Sequence, residues 1–181
     1  MPIEENNNNS SSHVRTPHLM CSLEDLLSST VKGFEKYTIL YKVENVGSSR
    51  LVSGDATGQL DSKAEIVAKN VGIYLKAGPF APTVINHMQK GEPFKAIEVI
   101  RLSNVKGENI ITSQTTYSNV LIVAVDRDLS IKLDDGTVVD NVVKVVFRFM
   151  QEEYKEIVYD QTGTKKGQNV TKYDYGQAIA G

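Results

Sequence analysis

The sequence predicts a mainly β fold, an antiparallel β-barrel or sandwich with one short α-helix packed against it. Three observations carry that expectation. Short Val/Ile-rich runs recur near one every ten residues, a single stretch has helical character, and no strand–helix–strand alternation appears.

The bulk properties narrow the function classes. At 181 residues, with 40% hydrophobic and 23% charged side chains, the chain is long enough for one domain with a real core. Its formal net charge is −2. Neither sign dominates, so there is no electrostatic case for nucleic acid or an anionic membrane. No run approaches the roughly 20 apolar residues of a spanning helix, so membrane insertion is not expected. A single cysteine, Cys21, excludes an internal disulfide and fits a reducing compartment. Residues 1–12 are acidic and Asn/Ser-rich, with neither the basic region nor the apolar core of a classical secretion signal.

Residues 1–30 read as a flexible tail. The run Asn6 to Ser12 buries nothing and would cost entropy to order. Within the tail, Leu23 to Leu27 suggests a short helical turn with Ser22 as its N-cap. Residues 31–181 form the expected domain. Tyr37, Ile39, Tyr41 and Val43 alternate with polar neighbours as the buried face of a strand, leaving Leu40 on the polar side. Asn45 to Ser62 holds four turn-prone clusters and is too long for a tight hairpin. Strand signals resume at Ala64 to Leu75, with Gly72 as a candidate bulge. The helix is expected from Ala81 to Lys90: Pro82 suits its first turn, Val84, Ile85 and Met88 form a narrow apolar stripe, and Gly91 stops it.

Beyond it, strands are expected at Phe94 to Leu102, Asn109 to Thr116, Asn119 to Val125, Val142 to Phe149 and Tyr154 to Tyr159, with a last segment from Gln168 to Tyr175. Asp134-Asp135-Gly136 reads as a hairpin in which Asp-Gly supplies the positive φ of a two-residue connection. Phe94, Ala96, Ile100 and Leu102 alternate with Ile97 and Val99, so both faces of one strand are apolar. One face lies under the helix and the other inside the barrel, or one of them meets another copy of the chain.

The search for chemistry returns little. The chain has no phosphate-cradling Gly-rich loop ending in Lys-Ser/Thr, no His-Glu-x-x-His and no Cys-x-x-Cys. His13 and His18 fall in the tail, and His87 on the helix lacks the orienting carboxylate and nucleophile that a general base needs. Cys21 reads as a buried, idle thiol. Asp126 and Asp128 superficially resemble the start of a calcium loop, but Leu129 and Ser130 follow and no glutamate closes it. With Asp134, Asp135 and Asp140 they read as a solvated rim. Lys165, Lys166 and Lys172 have no interleaved aromatics and read as a charged turn. No catalytic residue, cofactor or metal ligand is expected, and the chain is not read as an enzyme.

From about Lys63 onward the order of elements resembles the haemolysin-coregulated protein family, the tube subunit of type VI secretion. The residues that carry the likeness are Glu65 to Val71, then Pro82 to Gly91 with Gly91-Glu-Pro-Phe94, then Ala96 to Ile100. Asn119 to Val125, Asp135-Gly136 with Val142 to Phe149, and the close Tyr159 to Gly167 with Val170 to Asp174 follow. More loosely, Val31-Lys-Gly33 and Tyr37 to Val43 stand for the family's opening. Two departures exist: about thirty residues precede the first strand, and Tyr37, Tyr41 and Tyr173 stand where the family often has tryptophan.

The resemblance implies homohexameric rings stacked into a hollow tube, surrounded by a contractile sheath and tipped by a spike protein, with effector cargo as a further partner. It implies a cytoplasmic protein expelled by the machine without a signal peptide. Asn45 to Ser62 would be the loop that reaches an adjacent subunit or ring, and Arg50, Leu51 and Val52 are the candidate contact residues. A phage-type tail tube is the close variant. Readings of another class are a monomeric β-barrel binding module, which needs an open apolar pocket, and an enzyme built on His87 with an aspartate from 126–140.

Overall fold

The computed structural model describes residues 18–46, 48–50 and 66–175, side chains of 48–50, 66 and 67 excepted. The strands are β1 (Leu19–Leu23), β2 (Thr38–Glu44), β3 (Ser48–Arg50), β4 (Ile66–Ala68), β5 (Val71–Lys76), β6 (Phe94–Val105), β7 (Glu108–Lys132), β8 (Val138–Arg148), β9 (Gln151–Tyr159) and β10 (Lys165–Asp174), with one helix, α1 (Ala81–Lys90), between β5 and β6. All pairings are antiparallel. Eight strands form one sheet in the order β10-β9-β7-β6-β1-β2-β5-β8, and β7 also pairs with β8. That extra pairing closes β7-β6-β1-β2-β5-β8 into a barrel, with β9 and β10 left as a flange. The expected β-barrel with one short packed helix is what the chain forms.

The closure depends on β7. Its residues Ser113–Ser118 pair with β9, and Leu121–Lys132 pair with β8. β8 and β9 are thus nearly one course of chain laid along β7, interrupted at Phe149–Met150 opposite Asn119–Val120. Asn119 adopts φ 52 at that handover. Two strands, Asn109 to Thr116 and Asn119 to Val125, are expected from the pattern; one long strand with an irregular residue between them is found.

The core follows from inward residues of this circuit. Ile73, Leu75, Val84, Ile97, Tyr117, Val120, Val145 and Phe147 are buried in one cluster. Tyr117, Phe147, Phe149 and Tyr175 pack ring against ring, with centroids 4.7–5.3 Å apart along the chain of contacts. A second cluster of Met20, Ile100 and Leu102 lies on the opposite face of β1 and β6 under Val31, Phe34 and Tyr37. Both apolar faces of β6 are therefore covered within the chain.

Several expectations need correction. The tail does not extend to residue 30: β1 sits between β6 and β2, and Met20, Cys21 and Leu23 are fully buried. A five-residue strand carries too little periodicity to stand out behind a polar tail. Leu23 to Leu27 is not helical. Leu23 ends β1, Glu24 takes φ 49, and Leu26 N–H donates to the Leu23 carbonyl in a single turn. Ser22 caps nothing; its hydroxyl donates to the Glu24 carbonyl. In β2 the faces are reversed: Thr38 and Leu40 are buried while Ile39 and Tyr41 are half-buried. The irregularity in this region falls in β2 between Leu40 and Lys42, not at Gly72, whose strand pairs without a break with β8.

The hairpin chemistry also moves. Asp134-Asp135-Gly136 is a three-residue connection, with Gly136 N–H donating to Leu133 O and Leu133 N–H to Thr137 O, and only Gly136 has positive φ (85°). The same device recurs at Gln161-Thr162-Gly163 between Asp160 and Thr164. The two-residue turn lies elsewhere: Lys106 and Gly107, both at positive φ, join Val105 to its partner Glu108. The helix forms as expected, with Pro82 in its first turn and Gly91 closing it in the left-handed conformation.

Candidate functional site

A groove of about 570 Å³ lies over the outer face of β6, β7, β9 and β10. Strand register builds it. Glu98, Thr116, Glu153 and Lys172 are successive cross-strand partners, and so are Ala96, Ser118, Gln151 and Asp174 on the next row. Period-two alternation sends the polar residues of four strands to this face while Ile97 and Tyr117 go to the core.

Hydrogen bonds and ion pairs hold the groove's side chains. Glu98 accepts from the Tyr37 hydroxyl and from the Gln114 side-chain amide. Burial, followed by the bond to Glu98, pushes the Tyr37 hydroxyl well above its usual range. Glu153 pairs with Lys155 at 2.5 Å and with Lys172. Those two lysines lower its carboxyl, the bond to Lys155 first. Gln151 donates to Asp174 at 2.8 Å and the Tyr175 hydroxyl to Glu152 at 3.1 Å. A wall of carboxylates, amides and paired lysines can order water and offer hydrogen bonds. It lacks the apolar lining of a small-ligand pocket.

A second polar cluster lies outside the barrel across β2, β5 and β8. Glu44 accepts from Lys42 at 2.8 Å and from the Tyr74 hydroxyl at 2.9 Å, with Lys144 at 3.2 Å. These donors, Lys42 first, hold the Glu44 carboxyl at about 2.

The residues singled out for chemistry are not brought together. The His87 ring stacks on Phe94 at 4.3 Å, and its Nδ1 makes no hydrogen bond, with the Glu92 carboxylate 3.9 Å away. Cys21 is fully buried, and desolvation raises its thiol far above the range in which a thiolate forms. Among the described residues no three His, Cys, Asp or Glu side chains converge as metal ligands. Asp126, Asp128, Asp134, Asp135 and Asp140 are exposed along the β7–β8 ribbon, and Lys165, Lys166 and Lys172 are exposed on β10. Of the candidate contact residues, Arg50 ends β3, opposite Ile66 of β4. Leu51 and Val52 lie outside the described residues, as do His13 and most of the 45–62 segment. No described helix is long and apolar enough to cross a membrane.

Comparison with solved structures places this architecture. The chain superposes on a type six secretion system protein with a TM-score of 0.70 at 11% identity, covering 86% of this chain and 94% of that one. It superposes on Hcp1 of E. coli EAEC 042 at 0.60 and 14% identity, over 88% and 99%. Hcp1 of Salmonella typhimurium gives 0.58 at 11% identity, over 88% and 95%. The fold is that of the Hcp proteins. No protein-family model and no curated protein matches the chain by sequence, so the likeness to Hcp resides in the arrangement of strands. The groove residues were missed in the sequence. Their signal was present as the alternating polar positions of Asn109 to Thr116, but those positions acquire meaning only beside their partners in β6 and β9.

Proposed function

We propose that this chain is the inner-tube subunit of a contractile injection machine of the type VI secretion kind. Six copies form a ring, rings stack into a hollow tube, and a contracting sheath drives the tube out of the cell behind a spike protein. The protein acts mechanically, without a catalytic step or cofactor, and leaves the cytoplasm as part of the tube it builds. The single observation that carries this reading is the near end-to-end overlap with the Hcp fold, 94–99% of each of those chains.

Two features of the molecule support it. The polar face of β6, β7, β9 and β10 suits the water-filled side of a tube wall, and the flange ends in a strand edge with no partner among the described residues. Arg50, Leu51 and Val52 remain our candidates for contact between subunits or rings. The polar groove does not suit the monomeric binding module, which needs an apolar cavity.

Negative-stain microscopy with light scattering tests the proposal. The expected result is an annular particle near six times the mass of the 20.0 kDa chain. A lone particle at every concentration up to the solubility limit would overturn it.

A further inference from the structure

Strand register marks one place where the β7–β8 hairpin departs from a regular ladder twice over. Asp126 pairs with Lys144 and Ile131 with Val139, the same register on either side, yet Leu129 between them pairs with Val142. Arg127 and Asp128 thus stand opposite Val143 alone, and Asp140 and Asn141 opposite Ser130 alone. Each strand carries one extra residue, and the two bulges cancel. Such a pair leaves the register beyond it unchanged; what it adds is a bend and extra twist.

The backbone angles agree. Asp128 and Asn141 both take φ 57, a region that Asn and Asp enter most readily after glycine. β5 accompanies β8 as far as Asn141, whose carbonyl accepts from the Ala77 N–H at 3.1 Å. The bulges therefore sit where residues 129–140 leave the barrel as a two-stranded ribbon.

Two observations show which way that ribbon goes. Val138 is 61% exposed, whereas Val139, on the other face, is half-buried together with Leu129, Ile131 and Leu133. One face is wet and the other is sheltered. The tip also comes back to the barrel. Lys144, Tyr74 and Lys42 are cross-strand partners on β8, β5 and β2. A straight ribbon would carry Asp134 about 20 Å past their level, where water and salt screen its charge. Yet Asp134 raises the Lys42 ammonium, adding to the larger effect of Glu44. Lys42 and Lys144 share the Glu44 carboxylate, at 2.8 and 3.2 Å, so a second carboxylate is attracted there.

We propose that residues 129–140 are a strap, hinged at the paired bulges of Asp128 and Asn141. It folds back over the outer face of β8, β5 and β2, and Asp134 facing Lys42 is its latch. With the latch loosened, the strap swings out and presents Leu129, Ile131, Leu133 and Val139 to its surroundings. The device belongs to the single chain and stands apart from the tube reading.

A distance between two spin labels tests it. Thr137→Cys at the tip and Lys69→Cys ahead of β5 carry the labels, and Cys21, being fully buried, is shielded from the reagent. The otherwise unaltered chain should give one short distance. Deleting Asp128 together with Asn141 keeps the register and should lengthen that distance by about 10 Å or more. Asp128→Gly with Asn141→Gly should leave it unchanged, since glycine holds the same φ. Asp134→Lys, or salt at about 1 M, should add a second, longer population. Circular dichroism checks that each variant is folded. An unchanged distance in the folded deletion variant overturns the hinge, and an unchanged distribution in Asp134→Lys overturns the latch. Asp134→Lys leaves the backbone alone, so it decides the matter even where the deletion variant does not fold.

Discussion

Phe147 and Val170 are both apolar strand residues near the C-terminal end of the chain, yet Phe147 is fully buried and Val170 is 42% exposed. The first lies in β8, inside a circuit of strands that closes on itself. The second lies in β10, at the margin of a flange whose last edge meets no other strand among the described residues. In the barrel, stability comes from side chains removed from water, and no backbone edge remains. In the flange and the far end of the β7–β8 hairpin, the ribbon of residues 129–140, few side chains are buried and strand edges have no partner among the described residues. The difference teaches where stability is concentrated: the barrel completes itself, while the periphery leaves strand edges without a partner among the described residues.

The sharpest way to break that comparison is Phe147→Ala. Removing a ring packed against Tyr117 and Phe149 should cost about 3–5 kcal/mol of monomer stability, read as a lower urea midpoint. A loss under about 1 kcal/mol would mean the barrel does not carry the fold.

Next in size is a pair of glycine substitutions at the two hairpin tips. Gly163 sits at φ 85, and an added Cβ would lie 2.9 Å from the Val105 side chain, so strain and collision combine. Gly107 has φ 88 but open space around it. Gly107→Ala should cost about 1 kcal/mol from backbone strain, and Gly163→Ala clearly more. Equal costs would show that the β9–β10 tip is not seated on the β6–β7 tip.

A smaller effect comes from Glu44, whose carboxyl is held at about 2. Because it is lowered in the folded state, the unfolded chain binds the extra proton between about 4.5 and 2. Glu44 therefore adds stability above that window, and the contribution fades as pH falls through it. With solvent screening the contribution should stay below about 1 kcal/mol. Urea titrations of wild type and Glu44→Gln should differ at neutral pH and converge near pH 2. A constant difference would show that the Lys42, Tyr74 and Lys144 contacts do not act through charge.

The smallest expected change is at the periphery. Val138→Thr should alter monomer stability by less than about 0.5 kcal/mol, since the side chain is mostly in water. A large loss in the dilute monomer would mean that Val138 is packed within its own chain.

Much of the fold was legible in the residues. The helix from Ala81 to Lys90, with Pro82 near its start and Gly91 at its end, announced itself by local chemistry, and the strands of β6 to β9 announced themselves by β-branched runs. β1 was not legible. Leu19 to Leu23 becomes a strand because β6 and β2 flank it, and nothing within five residues signals that. The inversion of β2 has a related cause: Tyr37, Ile39 and Tyr41 look like a core face, but β2 turns Leu40 toward Leu75 instead. The polar groove was least legible, since its rows run across four strands and no single segment contains one.

Sequence by itself determined what each segment prefers: the β class, the one helix and the turn residues. Those are local properties, set by dihedral preference and by hydrophobic period. Only the tertiary structure decided that β7 would take β9 along its first half and β8 along its second, which faces would be inward, and which edges would stay open. Pairing between strands is a choice among distant partners, and its energy appears only when the whole circuit has closed.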